Sequence, residues 1–162
     1  MAKRFTNRFF PDLPRVSQKN SVYCGPACLE AFAGFHHFPF CQEDFVKALG
    51  LEKKIHQRGM FVEEMGLAFT KLVPNFYFWF KNYATINELS QLVNVFKYPV
   101  GVEWQGVFCY ANRQEAENDD PGHYSLITAI NTKDNFLFLA DPYPDYAGKD
   151  RRFTVLEFER RW

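Results

Sequence analysis

The first half of the chain carries apolar and small residues at the three- and four-residue spacing of amphipathic helices. The clearest pattern predicts a helix over Cys24–Phe35, and Pro26 fits its first turn, where a missing backbone N–H costs nothing. A second helix is predicted over residues 42–49, ended by Gly50, and a third over residues 60–69. The N-terminal part of the fold is therefore expected to be helical.

After Pro74 the helical periodicity gives way to a shorter pattern. Residues 75–80 form a short aromatic run, which favours a strand over a helix. Thr85 and Glu88 then have the spacing of a capping box, which predicts the start of a helix. Pro99 ends this helix, whose apolar face is predicted to consist of Leu89, Leu92, Val93 and Phe96.

The last third of the chain has the apolar, strand-forming runs of an antiparallel sheet. Strands are predicted at Val100–Trp104, at residues 123–130 and at residues 136–141. The polar residues 131–135 have the composition of a hairpin connection, so the last two strands are expected to pair. The long polar stretch over residues 105–122 predicts a loop before them.

The end of the chain and its length complete the predicted architecture. Thr154 and Glu157 again have capping-box spacing, so a final strand or helix is expected there. A length of 162 residues suits one domain with a sizeable core. We predict a single α+β domain over residues 1–162, in which an N-terminal helical subdomain (about 14–73) packs on a C-terminal antiparallel β-sheet (about 74–162).

Composition narrows the classes of protein to which the chain can belong. Apolar residues make up 47% of the chain and aromatic residues 19%, which excludes a disordered segment. Acidic and basic residues balance at 19 each, so no net field attracts a polyanion, and no nucleic-acid partner is expected. The longest apolar runs are far shorter than the roughly 18 to 20 residues of a transmembrane helix, so no membrane span is expected.

The N-terminus and the cysteines bear on the cellular compartment. The first ten residues lack the continuous apolar stretch of a secretory signal, and a cytoplasmic location is therefore expected. In that reducing compartment the four cysteines are expected to be free thiols. The oligomeric state is left open by these patterns.

The chain contains the four residue types that acyl transfer through a thioester requires, and these are Gln18, Cys24, His123 and Asp141. A thiol attacks only after it loses its proton, and the helix predicted to begin at Cys24 places a positive dipole end beside that residue. His123, at the start of a predicted strand, is the expected proton donor and acceptor. A cysteine nucleophile paired with an imidazole is the chemistry that this pattern predicts.

Asp141 and Gln18 complete the candidate site. If the predicted hairpin forms, Asp141 lies near His123, where its carboxylate can fix the tautomer and the orientation of the imidazole. Gln18, six residues before Cys24, can donate to an oxyanion together with the backbone N–H of Cys24. The predicted reaction is hydrolysis of a peptide or amide bond, without a cofactor or a metal.

Three other interpretations remain open from the residues alone. An amine could resolve the acyl-enzyme in place of water, which would make the protein a transglutaminase-like acyl transferase. A binding module without activity could keep the same fold and dock a partner on the aromatic residues 75–80. A zinc site is the third, and four ligands for it could come from Cys24, Cys28, His36, His37 and Cys41. The spacing of these residues fits the usual ligand pairs of structural zinc poorly.

The motifs around the four residues resemble those of papain-like cysteine peptidases, and within that group the bacteriocin-processing, double-glycine-leader peptidase branch is the nearer match. The likeness runs from about Pro14 to Trp162 and includes a similar C-terminal ending. One position departs from the branch, since Tyr23 stands where its members usually carry an acidic residue. The motifs that carry the resemblance are the Gln18-x5-Cys24 spacing, Cys24-Gly25-Pro26, His123-Tyr124 and Asp141-Pro142.

This resemblance implies a papain-like α+β fold and a peptide or protein substrate. It also implies a role for each residue of the candidate site. Cys24 would be the nucleophile, His123 the acid and base, Asp141 the orienting carboxylate and Gln18 a donor in the oxyanion hole.

Overall fold

The computed structural model describes residues 10–104 and 122–162. In this part of the chain a group of helices precedes an antiparallel sheet, and one more helix follows the sheet. The first helices are α1 (Cys24–Phe35), α2 (Gln42–Ala48), α3 (Ile55–Arg58), α4 (Val62–Leu72) and α5 (Ile86–Ser90), which continues into a π-helical turn (Gln91–Val95). The sheet and the last helix are β1 (Val100–Trp104), β2 (His123–Asn131), β3 (Phe136–Ala140), β4 (Asp150–Phe153) and α6 (Val155–Glu159).

Helix α1 is the centre of the helical layer and packs against α2, α4 and β2. Its small residues allow these close approaches, and Ala27, Ala31 and Ala33 are all buried. Gly34 lies under the segment that leads into the helix, since a Cβ there would come within 2.7 Å of Pro14 Cγ. The chain before Cys24 is therefore pressed onto the helix that Cys24 begins.

The four strands of the described residues pair in chain order as an antiparallel sheet. The register places Trp104 opposite His123 between β1 and β2, and Leu126 opposite Ala140 between β2 and β3. A register shift between Ile127 and Ala129 marks a bulge in β2. The strands predicted at residues 100–104, 123–130 and 136–141 are confirmed to within one residue, as is the hairpin between the last two.

Both faces of the sheet are covered by helices. Leu126 and Ala140 belong to the core that α1 shares with the other N-terminal helices. The opposite face carries a second core, which α5, the π-helical turn and α6 close. Its largest contributors are Leu89, Val93, Trp104, Ile127, Leu137, Leu139, Phe153 and Phe158.

The strand predicted at residues 75–80 is wrong. Residues 76–80 have no regular secondary structure and do not belong to the sheet. Phe76 and Phe78 pack into the helical core, whereas Tyr77 and Trp79 are each 85% exposed. The aromatic residues that favour a strand are therefore divided between the helical core and solvent.

The helix predicted after Thr85 is confirmed at its start but only in part along its face. Thr85 Oγ1 accepts a hydrogen bond from the Glu88 N–H at 3.3 Å, and Glu88 Oε2 accepts from the Thr85 N–H at 2.8 Å. Beyond Ser90 the backbone forms π-helical hydrogen bonds, which add residues to each turn and rotate the later side chains. Leu89 and Val93 are consequently buried, while Leu92 and Phe96 are exposed.

Several boundaries differ from the predicted ones. Helix α4 runs two residues later at its start and three later at its end than the predicted 60–69, and α2 ends one residue early. The sequence pattern does not predict the short helix α3. At the C-terminus it predicts either a strand or a helix, and the structure has both, as β4 and α6. Most of the predicted loop at residues 105–122 lies outside the described residues. None of the described helices is long and apolar enough to cross a membrane.

Helix α6 offers a matched test of the second core. Phe158 is 1% exposed and Leu156, two residues earlier, is 51% exposed. Phe158→Ala is expected to lower the free energy of unfolding by about 3–5 kcal/mol, because it leaves a cavity against the sheet. Leu156→Ala is expected to change it by less than about 0.5 kcal/mol. Urea denaturation of both variants measures the difference, and equal losses would contradict the burial of this face.

Candidate active site

Cys24 is the first residue of α1, and its side chain is half-buried. Backbone N–H groups in the first turn of a helix have no partner within the helix, and the helix dipole adds partial positive charge there. Helix α1 has twelve residues and carries no acidic side chain in its first turn. This end of the helix therefore offers backbone donors and partial positive charge beside the Cys24 side chain.

Gly25 brings the start of α1 against the start of β2. A Cβ at Gly25 would lie 3.2 Å from Met65 Sδ and 3.5 Å from Tyr124 Cδ2, so a larger residue would push the helix away. Burial raises the pKa of Tyr124, and the charges of Glu103 and Cys24 raise it further. Cys24 is thus within electrostatic range of the residue that follows His123.

His123 and Asp141 form a buried hydrogen-bonded pair. His123 Nε2 lies 2.8 Å from Asp141 Oδ1, and both side chains are almost completely shielded from solvent. Trp104, opposite His123 in the sheet, contacts the imidazole edge-to-face with ring centroids 5.9 Å apart. The indole N–H of Trp104 donates to Ser125 Oγ at 3.1 Å, which holds the indole in place. The orientation of the imidazole is therefore set from two sides.

The Asp141 carboxylate follows directly on β3 and is hydrogen-bonded at both oxygens. Oδ1 accepts from the Tyr143 N–H at 2.9 Å as well as facing His123, and Oδ2 accepts from an Nη1 hydrogen of Arg151. Burial alone raises the pKa of Asp141, but the bonds from His123, Tyr143 and Arg151 outweigh it and lower that pKa. Asp141 is therefore ionised at neutral pH.

Gln18, in the segment that precedes α1, is buried. Its backbone N–H donates to the Pro142 carbonyl oxygen at 2.7 Å, which ties it to the residue after Asp141. Its side-chain Nε2 donates to the Asn20 carbonyl at 2.7 Å. Oε1 is buried and has no hydrogen-bond partner within residues 10–104 and 122–162. The structure therefore joins Gln18 to the Asp141 segment through the backbone.

The residue that holds the Gln18 segment is Gln42, which no sequence motif marks. This side chain is buried, and its Oε1 accepts from the Lys19 N–H at 3.0 Å. Its Nε2 donates to the Ser17 carbonyl at 3.0 Å and to a Glu30 carboxylate oxygen at 2.9 Å. Gln42 thus fixes the backbone on both sides of Gln18, and only a three-dimensional structure brings these distant residues together.

The candidate zinc ligands lie on different parts of the helical layer, from the start of α1 to the residue before α2. Cys28 is buried in α1, where burial raises its pKa and the charges of Cys24 and Asp141 raise it further. His36 caps the C-terminal end of α1, and its Nε2 is hydrogen-bonded to the Tyr98 hydroxyl. Within the described part of the chain, no three His, Cys, Asp or Glu side chains are grouped closely enough to hold a metal ion.

A model of the Peptidase_C39 like family matches residues 10–162. The chain belongs to this family. The peptidase domain of Streptococcus ComA, a bi-functional ABC transporter involved in a quorum sensing pathway, has a similar structure with a TM-score of 0.55. The two are 18% identical over 91% of this chain and 90% of that one, a likeness that shows the fold alone. No curated protein sequence matches the chain.

These matches confirm the predicted resemblance to bacteriocin-processing peptidases and the papain-like α+β fold. Membership of the Peptidase_C39 like family supports a cysteine peptidase. In this family member the sheet joins His123 to Asp141, the chain after Asp141 is bonded to Gln18, and α1 carries Cys24 beside the start of β2. Arg151 also contacts the site, through its hydrogen bond to Asp141, and no sequence motif marks it. It reaches Asp141 only because β4 pairs with β3.

Replacing Gln42 tests how the Gln18 segment is held in this Peptidase_C39-like chain. Gln42→Leu keeps the approximate volume but leaves the Lys19 N–H and the Ser17 carbonyl without their partner. We expect the free energy of unfolding to fall by about 2 kcal/mol or more, the cost of buried groups without hydrogen bonds. Gln57→Leu, the same change at an exposed position of α3, is expected to have an effect under about 0.5 kcal/mol. Urea denaturation that gives equal small effects would rule out this role for Gln42.

Proposed function

We propose that the protein is a cysteine peptidase that hydrolyses peptide or amide bonds through a thioester on Cys24. His123 acts as the acid and base, Asp141 orients it, and Gln18 donates to the oxyanion. The observation that supports the proposal best is the buried pair of His123 Nε2 and Asp141 Oδ1, 2.8 Å apart, in which His123 begins β2, the strand against which α1 packs. A matching family model over residues 10–162 supports the same reaction class.

The direction of the His123 hydrogen bond decides which nitrogen faces the thiol in this proposal. Because Nε2 faces Asp141, Nδ1 is the nitrogen that exchanges a proton with Cys24. The ionised carboxylate holds the ring in one orientation and stabilises the imidazolium once it forms. The imidazolium and the positive end of α1 then favour the thiolate, which is the reactive form of a cysteine.

In the first half of the reaction the Cys24 thiolate attacks the carbonyl carbon of the substrate and forms a tetrahedral intermediate. The carbonyl oxygen becomes an oxyanion, for which the backbone N–H of Cys24 is available as a first-turn helix donor. Gln18 Nε2 has two hydrogens, one of which goes to the Asn20 carbonyl, so the other can serve the oxyanion. Each such donor is worth roughly 3 kcal/mol of transition-state stabilisation.

Collapse of this intermediate expels the amine, which takes a proton from His123, and leaves an acyl group on the Cys24 sulfur. His123 then removes a proton from water, the resulting hydroxide attacks the thioester, and the sulfur leaves as the thiolate. One imidazole thus serves both halves of the reaction. The family supports a peptide or protein as substrate, whereas transport and quorum sensing are properties of ComA.

Removal of the nucleophile is the primary test. Cys24→Ala is expected to abolish cleavage of a peptide library while the free energy of unfolding changes little. Cys41→Ala, which removes another half-buried free thiol, is expected to keep the activity. Product masses measured in the presence of a primary amine distinguish hydrolysis from acyl transfer. Attack by water gives an acid, whereas attack by the amine gives a new amide. Full activity of Cys24→Ala would eliminate the proposed mechanism.

The orienting carboxylate has its own kinetic signature. Asp141→Asn is expected to lower kcat by roughly 10²- to 10⁴-fold, the usual size of an acid–base contribution, while KM changes little. The reason is that tautomer control acts on the proton transfers rather than on substrate binding. Asp134→Asn, on the exposed hairpin turn, serves as the control. Steady-state kinetics in which Asp141→Asn matches the wild type would remove Asp141 from the mechanism.

A further inference from the structure

Arg151 lies on β4, opposite Leu139 of β3, and reaches across the end of the sheet to Asp141. Its Nη1 donates to Asp141 Oδ2, the oxygen on the side away from His123 Nε2. The Arg151 side chain is 13% exposed and the Asp141 side chain 0%, so the ion pair is almost entirely out of water. A buried cation thus touches the carboxylate of the candidate catalytic pair.

Neighbouring side chains keep the Arg151 guanidinium in this place. Its central carbon lies 3.6 Å from the ring centroid of Tyr146 and 4.8 Å from that of Phe153, both within the range of cation–π attraction. The adjacent carboxylate, Asp150, is engaged by Arg15 through two hydrogen bonds of 2.7 and 2.9 Å. Arg15 thus binds the Asp150 carboxylate, and the positive charge of Arg151 faces Asp141.

We propose that Arg151 is a positioning residue that fixes the Asp141 carboxylate toward His123, and that its positive charge sets the pH range in which the enzyme is active. The inference rests on the proposed function of the Cys24 site. Arg151 touches Asp141 and acts through it, so it is not itself a catalytic residue.

The positioning part follows from the freedom of a carboxylate. The terminal torsion of an aspartate is broad, so a hydrogen bond to one oxygen leaves the group able to rotate. In this protein Oδ1 faces His123 and the Tyr143 N–H, and Oδ2 is held separately by Arg151. Anchors on both oxygens fix the plane of the carboxylate, and with it the direction in which His123 is held.

The electrostatic part follows from the sign of the charge. A nearby cation favours the deprotonated form of every titratable group around it, so removing the cation makes each of them bind its proton up to a higher pH. The groups that face Asp141 come from several elements. They are His123 of β2, Arg151 of β4 and Cys28 of α1, and the charged side chains of Arg15 and Lys149 line the same pocket as Asp141. Both limbs of the pH profile of kcat/KM should therefore move to higher pH when the Arg151 charge is lost.

The test compares variants that separate charge from hydrogen bonding in the full chain. Arg151→Met removes both, and we expect kcat to fall roughly tenfold, a size typical of partners that orient a functional side chain. Both limbs of its kcat/KM profile are expected to rise by on the order of one pH unit. Arg151→Lys keeps the charge but loses the planar fork, so it should lower kcat and leave the limbs in place. Arg152→Met, the exposed neighbour on β4, is expected to change neither.

A second measurement covers the case in which Arg151→Met does not fold. The His123 ring is then titrated by NMR in two proteins, the Cys24→Ala variant and the double variant Cys24→Ala/Arg151→Gln. The glutamine keeps a hydrogen-bond donor at position 151 but carries no charge. The titration should move to higher pH when Arg151 is replaced. Unmoved limbs and an unmoved His123 titration, with only the free energy of unfolding lowered, would overturn the proposal. Activity that survives in Cys24→Ala would instead overturn the proposed function, so the two failures are distinct.

Discussion

The buried hydrogen bond between His123 and Asp141 is the interaction on which the candidate site depends. A carboxylate removed from water is costly unless hydrogen bonds and an opposite charge compensate for it. Here His123, the Tyr143 N–H and Arg151 supply that compensation, and together they hold the pKa of Asp141 below its usual value. The same bonds that make burial of Asp141 tolerable also fix the direction of the imidazole, so folding and the proposed catalysis have one common requirement.

The rest of the fold brings other parts of the chain to this pair. The sheet aligns His123 with Trp104 on one side and, through the β2–β3 hairpin, with the end of β3 on the other. Small residues let α1 approach the sheet closely, and the segment that carries Gln18 is bonded to Pro142 and to Gln42. Residues far apart in sequence are thereby joined through hydrogen bonds to the backbone on both sides of Gln18.

Much of this arrangement could be predicted from the sequence because local rules are strong where they apply. The periodicity and Pro26 locate α1, apolar runs of strand-forming residues locate β1 to β3, and the capping box locates the start of α5. The strand predicted at residues 75–80 is wrong because Phe76 and Phe78 pack on helices, and a short aromatic run does not say which element its side chains meet. The π-helical turn and the partners Gln42 and Arg151 depend on tertiary contacts, which a single sequence does not encode in any short motif.

In the proposed mechanism His123 maintains Cys24 as a reactive thiolate. This role is tested by the rate of alkylation of each cysteine by iodoacetamide, resolved by mass spectrometry at near-neutral and mildly acidic pH, in the wild type and in His123→Ala. We expect Cys24 to react much faster than Cys28 or Cys41 in the wild type, and His123→Ala to slow Cys24 to the rate of an ordinary thiol. Equal Cys24 rates in the two proteins at every pH would contradict this role.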